Sequence, residues 1–422
     1  MTFDHARDRV MAIVGAGHAG GRAAQTLREA GWKGRIAMIG AERHLPYERP
    51  PISKGLLTGE REAQQCHLRP HDAWRADDIE HIVGAVRSID AHERTLQLAD
   101  GRSFAYEALL LATGGHLRRL TIPGAQLDGV FGLRTLDDAA ALAPRLGAGA
   151  RVVVIGGGFI GLEVAASARA RGCEVSVVEG AARLLGRCVP AEIGAHVHAL
   201  HERQGVRVVL NASARAIAQR DDGRLDVTLD SGDLLDADTV VVGIGIEPAD
   251  EIARGTGLQT GLRTGLETAR GIVVDETLQT SAPGIYAAGD VALFPSRFGT
   301  HHIRQETWHN AETQAGVAAR NMLGAGEPYR DVPWFWSDQY DRQLQVSGEP
   351  ALGVRTIVRD LSGESQIHFA LDGAGQLVAA SGFGTLQGFA KEMRLARMLV
   401  ERAVPVDAQS LANPDVKLKS LL

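Results

Sequence analysis

The chain has 422 residues, too many for one ordinary core, and its 45% hydrophobic and 23% charged content is that of a soluble globular protein with two or three domains. A net charge of −6 argues against nucleic acid as the main partner, and no apolar run reaches membrane-spanning length, so no membrane partner is implied. Cys66, Cys173 and Cys188 form neither a pair motif nor a metal-ligand cluster, and the start, M-T-F-D-H-A-R-D-R-V, carries charge where a signal peptide needs an apolar run; a reducing cytoplasm is the expected home and no metal is expected.

In chain order, R-V-M-A-I-V predicts a buried strand running straight into G-A-G-H-A-G, with Gly15, Gly17 and Gly20, and then an Ala-rich helix ending near Gly31. R-I-A-M-I-G is a second strand, with Glu42 just beyond it. Y-E-R-P-P-I-S-K-G-L-L then sets a rigid Pro-Pro ahead of a short helical stretch opened by Ser53 and Lys54. That lysine is unusual, because basic charge is nearly all arginine and the other lysines are Lys33, Lys391, Lys417 and Lys419. R-T-L-Q-L-A-D-G-R-S-F-A-Y predicts a hairpin about an Asp-Gly turn, and A-L-L-L-A-T-G-G closes the unit at Thr113, Gly114 and Gly115.

From Arg151 the order repeats. R-V-V-V-I is a strand, G-G-G-F-I-G supplies Gly156, Gly158 and Gly161, L-E-V-A-A-S-A-R-A-R-G is a helix, and E-V-S-V-V-E ends at Glu179. A second meander follows, and T-V-V-V-G-I-G closes the copy. From about Pro328 the composition changes to a Trp-containing, strand-rich tract and a basic helix pattern, F-A-K-E-M-R-L-A-R-M-L-V-E-R-A. The reading is an α/β protein with two Rossmann-like dinucleotide-binding domains and a smaller α+β C-terminal domain. The expected boundaries are 1–115 with 246–327, then 116–245, then 328–422.

A lone GxGxxG carries little weight, but both copies have a strand before, a helix after and an acidic residue at the end of the next strand. The first glycine permits the turn, the second lets backbone approach a pyrophosphate, and the third lets the helix close on the strand with its amides toward the phosphates. Glu42 and Glu179 then accept from ribose hydroxyls, and a carboxylate at Glu179 repels a 2′-phosphate, favouring NAD over NADP; Arg183 nearby is read as a surface loop residue. Two dinucleotide sites imply resident FAD and visiting NADH, with hydride passing between them.

T-S-A-P-G-I-Y-A-A-G-D, ending at Gly289 and Asp290, resembles the second flavin motif of the two-dinucleotide-binding flavoprotein reductases. The resemblance implies a split FAD domain with the NAD domain inserted, and an Asp290 hydrogen bond to the ribityl chain. Disulfide reductases of that superfamily carry a Cys-x4-Cys pair ahead of a Pro-Ser-Lys tripeptide, whereas E-R-P-P-I-S-K has no cysteine and Cys66 falls too late, so a thiol relay is ruled out. L-P-Y-E-R-P-P-I-S-K, G-L-R-T-L-D-D-A, E-T-W-H-N-A, V-P-W-F-W-S-D-Q-Y and V-K-L-K-S-L-L resemble, over essentially the whole chain, the NADH-dependent ferredoxin reductases of bacterial oxygenase systems. That implies hydride transfer from NADH to FAD, then single electrons to a small two-iron two-sulfur ferredoxin that docks transiently and electrostatically and serves a heme-thiolate monooxygenase or Rieske dioxygenase.

The same resemblance implies Lys54 near flavin N5 and Glu163 near the nicotinamide, paired as ions; helix-dipole packing is the plainer reading of Glu163. Arg49 and Arg134 are candidates for FAD contacts, with domain bridging the alternative for Arg134, while Thr113 and Gly114 close on the adenine side. Trp336 is the preferred residue near flavin and docking surface; Trp308 and Trp334 suit core or site equally. Arg304, Lys391, Arg394 and Arg397 are the candidate docking patch, and His301 and His302 are read as a surface pair. An NADH:quinone or diaphorase-type oxidoreductase and a non-catalytic redox scaffold flavoprotein are the alternatives.

Overall fold

The computed structural model describes residues 9–186, 188–264, 267–361, 364–403 and 405–422. The charged start at 1–8, read above as unlike a signal peptide, lies outside the described residues. The chain divides into two compact units. One comprises residues up to Arg49 with Gln64–His116 and Ile246–Asp331; the other comprises Pro50–Ala63, Leu117–Gly245 and Val332–Leu422.

In the first unit a five-stranded sheet runs in the order 285–287, 108–111, 10–14, 35–40, 79–83, and all its pairings are parallel. Strand Val10–Val14 is buried along its whole length, as a central parallel strand covered on both faces must be. Helix His18–Glu29 buries Ala19, Ala23, Ala24 and Leu27 on one stripe. It packs on helix Trp308–Met322, which buries Ala311, Ala315 and Ala318. The small side chains on both helices permit that close approach. Strand Ile285–Ala287, far along the chain, pairs with Leu109–Leu111, so the Gly289–Asp290 turn leaves the same sheet edge that carries Thr113. The Asp-Gly hairpin forms as predicted, with Thr95 opposite Ala105.

The second unit repeats the design, with parallel strands in the order 206–210, 174–179, 151–155, 239–242, 130–132. Its own antiparallel meander follows at 214–219, 225–229 and 234–237. The Trp-containing tract is an antiparallel sheet in the order 334–339, 342–348, 377–385, 366–371, 355–360. The basic helix, Leu386–Arg402, packs across strand Leu377–Thr385. Two parallel nucleotide-fold sheets with an antiparallel sheet and helix make the α/β plus α+β class read from the sequence.

Candidate functional site

The two glycine turns are built alike. Gly15 and Gly156 both have φ +114, a conformation L side chains rarely adopt, and a Cβ on either would meet backbone oxygen, Ala112 O at 2.1 Å or Gly243 O at 2.5 Å. The third glycines are sterically required too: a Cβ on Gly20 would sit 1.8 Å from Gly15 O, and one on Gly161 2.1 Å from Gly156 O. The middle glycines differ. A Cβ on Gly17 would meet nothing nearer than Arg49 Nη2 at 3.8 Å, and one on Gly158 nothing within 4 Å. Their missing side chains leave open space beside the helix starts, where neither N-cap supplies a side-chain acceptor to the first-turn amides. This is the cradle a dinucleotide pyrophosphate needs, so the residues present fit FAD in the first unit and NAD in the second.

The acidic residues stand at the ends of the second strands. Glu179 Oε2 accepts from Gly157 N at 2.6 Å and Oε1 from Ala181 N at 2.8 Å, which hold the carboxylate against the second glycine turn. Glu42 accepts from Arg49 Nη2 at 2.8 Å and from the Tyr47 hydroxyl. Burial opposes the charge on Arg49, but Tyr47, Glu42 and Asp290 outweigh it and hold the guanidinium above its ordinary pKa. Arg49, Glu42 and Asp290 therefore form one polar cluster. The Asp290 turn is anchored by Gly289 N to Gln314 Oε1 at 2.9 Å and by Arg304 Nη1 to Asp290 O at 3.1 Å. Thr113 Oγ1 donates to Ala249 O at 2.6 Å, and Gly114 O accepts from Ala249 N at 3.0 Å, fixing the A-T-G-G turn beside Gly15.

In the second unit Pro50–Ser53 forms a 3₁₀ turn and Gly55–Thr58 one helical turn, laid along helix Phe159–Ala170. Glu163, Ser167 and Arg171, four residues apart and so on one helix stripe, each take hold of it. Glu163 receives Ser53 Oγ at 2.5 Å, Ser167 Oγ donates to Ser53 O at 2.7 Å, and Arg171 Nη1 donates to Leu57 O at 3.0 Å. Lys54 Nζ lies 2.9 Å from Glu163 Oε1 and 3.9 Å from Asp338 Oδ2. Glu163 is only 4% exposed, so its charge is met by an ammonium and hydroxyl donors rather than by water.

The remaining candidates fall as follows. Arg134 is half-buried, and its backbone N–H caps onto Asp138 Oδ2 at 2.9 Å. Arg183 donates to Val189 O and Gly186 O, closing its own loop. Trp308, Trp334 and Trp336 are all half-buried. Trp308 sits edge-on to His18 in the first unit, while Trp334 and Trp336 stack in the second with ring centroids 5.1 Å apart. The Arg397 guanidinium lies over the Trp334 ring at 5.0 Å and pairs with Glu401; Lys391 and Arg394 are exposed on the same helix. Arg304, in the first unit, pairs with Glu306 at 2.6 Å.

Sequence reasoning gave no site role to Tyr47, Ser53, Ser167, Ser337, Gln339 or His201. Tyr47, Ser53, Ser167, Ser337 and Gln339 lie in quoted motifs, and alternation along strand Trp334–Gln339 would have put Ser337 and Gln339 on one buried face. His201 had no signal beyond its position on an otherwise apolar helix stripe.

Comparison with known proteins gives the same picture. Residues 9–315 match the pyridine nucleotide-disulphide oxidoreductase family and 334–422 the reductase C-terminal family. The chain is 41% identical to the ferredoxin–NAD(+) reductase component of the anthranilate 1,2-dioxygenase system of Burkholderia cepacia, covering 97% of this chain and 98% of that one. It is 38% identical to the corresponding component of the p-cumate 2,3-dioxygenase system of Pseudomonas putida, over 96% and 97%. Among solved structures, the ferredoxin reductase for the CYP199A2 system from Rhodopseudomonas palustris superimposes with a TM-score of 0.91 at 39% identity, covering 98% of this chain and 99% of that chain. The putidaredoxin reductase in its covalent complex with putidaredoxin gives a TM-score of 0.91 at 33% identity, over 98% of each chain. The chain belongs to the pyridine nucleotide-disulphide oxidoreductase family, within its ferredoxin–NAD(+) reductase branch.

Proposed function

We propose that the protein is an FAD-dependent NADH:ferredoxin oxidoreductase of a bacterial oxygenase system, working in the cytoplasm. The observation that carries this reading is a Lys54–Glu163 ion pair on the helix that opens from the second glycine turn, in a segment without a cysteine. The FAD domain, 1–115 with 246–327, holds FAD through Gly15, Gly17, Gly20, Glu42, Arg49, Thr113, Gly114 and Asp290. Residues 116–245 hold NADH through Gly156, Gly158, Gly161 and Glu179, and residues 328–422 present the docking face. Bound FAD supplies the conversion of one hydride into two single electrons. Lys54 brings a compact cation to the reacting end, and Glu163 orients it.

With no thiol to relay them, electrons leave singly to the iron–sulfur centre of a ferredoxin. The exposed Lys391 and Arg394, continuing through Arg397 onto the Trp334–Trp336 stack, give a basic and aromatic face suited to an acidic partner.

The test is reduction of the purified yellow protein by NADH, followed by electron delivery to a panel of two-iron two-sulfur ferredoxins and to quinones. Ferredoxin-selective turnover that falls with salt is expected. Fast quinone turnover without ferredoxin selectivity would overturn the reading.

A further inference from the structure

Glu163 is the end of a buried polar chain in the second unit. Ser337 Oγ donates to Glu163 Oε1 at 2.6 Å, and Gln339 Nε2 donates to Ser337 Oγ at 2.9 Å. Gln339 Oε1 lies 2.9 Å from His201 Nε2, and the Tyr340 hydroxyl 3.3 Å from His201 Nδ1. Ser337, Gln339 and His201 are each 0% exposed. The Gln339 amide fixes the direction: its NH2 is spent on Ser337, so its carbonyl oxygen accepts from His201 Nε2–H, and Nδ1 accepts from Tyr340. Every proton therefore points toward the Glu163 carboxylate, an arrangement in which each hydrogen bond polarises the next.

Buried polar side chains in such number need a reason, since apolar side chains of the same shape would pack there without the desolvation penalty. The reason is the choice facing Lys54. Its ammonium has two carboxylates within 4 Å, Glu163 at 2.9 Å and Asp338 at 3.9 Å, and the Asp338 side chain is 44% exposed. Ser337 and Gln339 point inward from the strand, while Asp338 between them points out. Ser53 Oγ holds the other carboxylate oxygen, Oε2, at 2.5 Å. With both oxygens held, Glu163 cannot turn away from Lys54.

We propose that Ser337, Gln339 and His201 are positioning residues for hydride transfer, acting through Glu163 to keep the Lys54 ammonium on that carboxylate and off Asp338. The proposal rests on the Lys54–Glu163 assignment above. It predicts that Ser337→Ala in the FAD-loaded full-length enzyme slows flavin reduction at saturating NADH by about 10-fold, with the half-saturating NADH concentration changed less than about twofold, the size of one lost hydrogen bond to a charged group. Ser337→Thr, which keeps the hydroxyl, restores the rate. In a Glu163→Gln background Ser337→Ala slows nothing further.

The coupling is also read without turnover: the drop in Tm caused by Lys54→Met is smaller in the Ser337→Ala background than in wild type. Gln339→Met, one link further out, repeats the kinetic pattern should Ser337→Ala fail to hold flavin. Additive slowing in the Glu163→Gln background, or a lowered Tm with an unchanged reduction rate, overturns the proposal and leaves the Lys54–Glu163 assignment standing. An unchanged rate in Glu163→Gln alone overturns both.

Discussion

Ser167 Oγ donates to the carbonyl of Ser53 at 2.7 Å, joining helix Phe159–Ala170 to the segment that carries Lys54. Ser53 is held twice by that helix, since its hydroxyl goes to Glu163 one turn earlier. The Pro-Pro pair ahead of Ser53 has few conformations to lose, so these side-chain bonds suffice to dock it. Lys54 thus stands on a backbone that is clamped from residues far along the chain.

Lys54→Met removes the cation and leaves Glu163 buried with hydroxyl donors alone. Breaking a buried pair from one side is expected to lower stability by about 2–4 kcal/mol and to slow NADH reduction of the flavin by about 10-fold or more. Stopped-flow bleaching and thermal unfolding measure the two effects. The Lys54→Met/Glu163→Gln double variant should recover part of the stability and none of the rate.

The glycines separate folding from binding. Gly158→Ala meets no atom within 4 Å and should fold normally while raising KM for NADH by about 10-fold, because the added methyl occupies space a pyrophosphate needs. Gly161→Ala places its methyl 2.1 Å from Gly156 O and should instead fail to fold or lose the second unit. Circular dichroism and NADH titration of the two variants distinguish these outcomes.

Glu179 should set the preference for NADH over NADPH. Its carboxylate, fixed by Gly157 N and Ala181 N, presents negative charge beside the second glycine turn. Glu179→Ala should cut the ratio of kcat/KM values for NADH and NADPH by about 10-fold to 100-fold. A ratio unchanged by the substitution would remove Glu179 from cofactor selection.

His201 makes a pH prediction. Burial pushes its imidazole down to about 4; the Gln339 contact works the other way, and His198 adds to the depression. The unfolded chain takes up this proton below an ordinary value near 6.5, so the contribution of His201 to stability is complete above that pH and is lost as pH falls toward 4. The full span is worth about 3 kcal/mol. Tyr340 and Gln339 face the ring directly, and neither changes charge in this range; the phenol is pushed higher still by burial. Relative to wild type, His201→Gln should show a flatter Tm profile between pH 6.5 and 4.

Much was legible before the fold was known, and for local reasons. The turns at Gly15 and Gly156 require positive φ, the strands behind them are continuous apolar runs, and Glu42 and Glu179 fall at strand ends; each is decided within a few residues. The missing cysteine in E-R-P-P-I-S-K is equally local. The aromatic residues were less legible, because half-burial of Trp308, Trp334 and Trp336 depends on what packs beside them and not on their own neighbours in sequence.

By itself the sequence determined two glycine turns between strand and helix, the acidic residues that follow their second strands and a Pro-Pro-Ile-Ser-Lys segment without a cysteine, because backbone sterics and side-chain chemistry act over short stretches of chain. Tertiary structure alone decided what surrounds Glu163. Its hydroxyl donors, Ser53 and Ser337, stand 110 and 174 residues away, and His201 joins them through Gln339. Partners so distant meet only when strand register and helix stripe bring them to one buried point. Once there, the penalty for an unpaired charge makes the whole arrangement hold together.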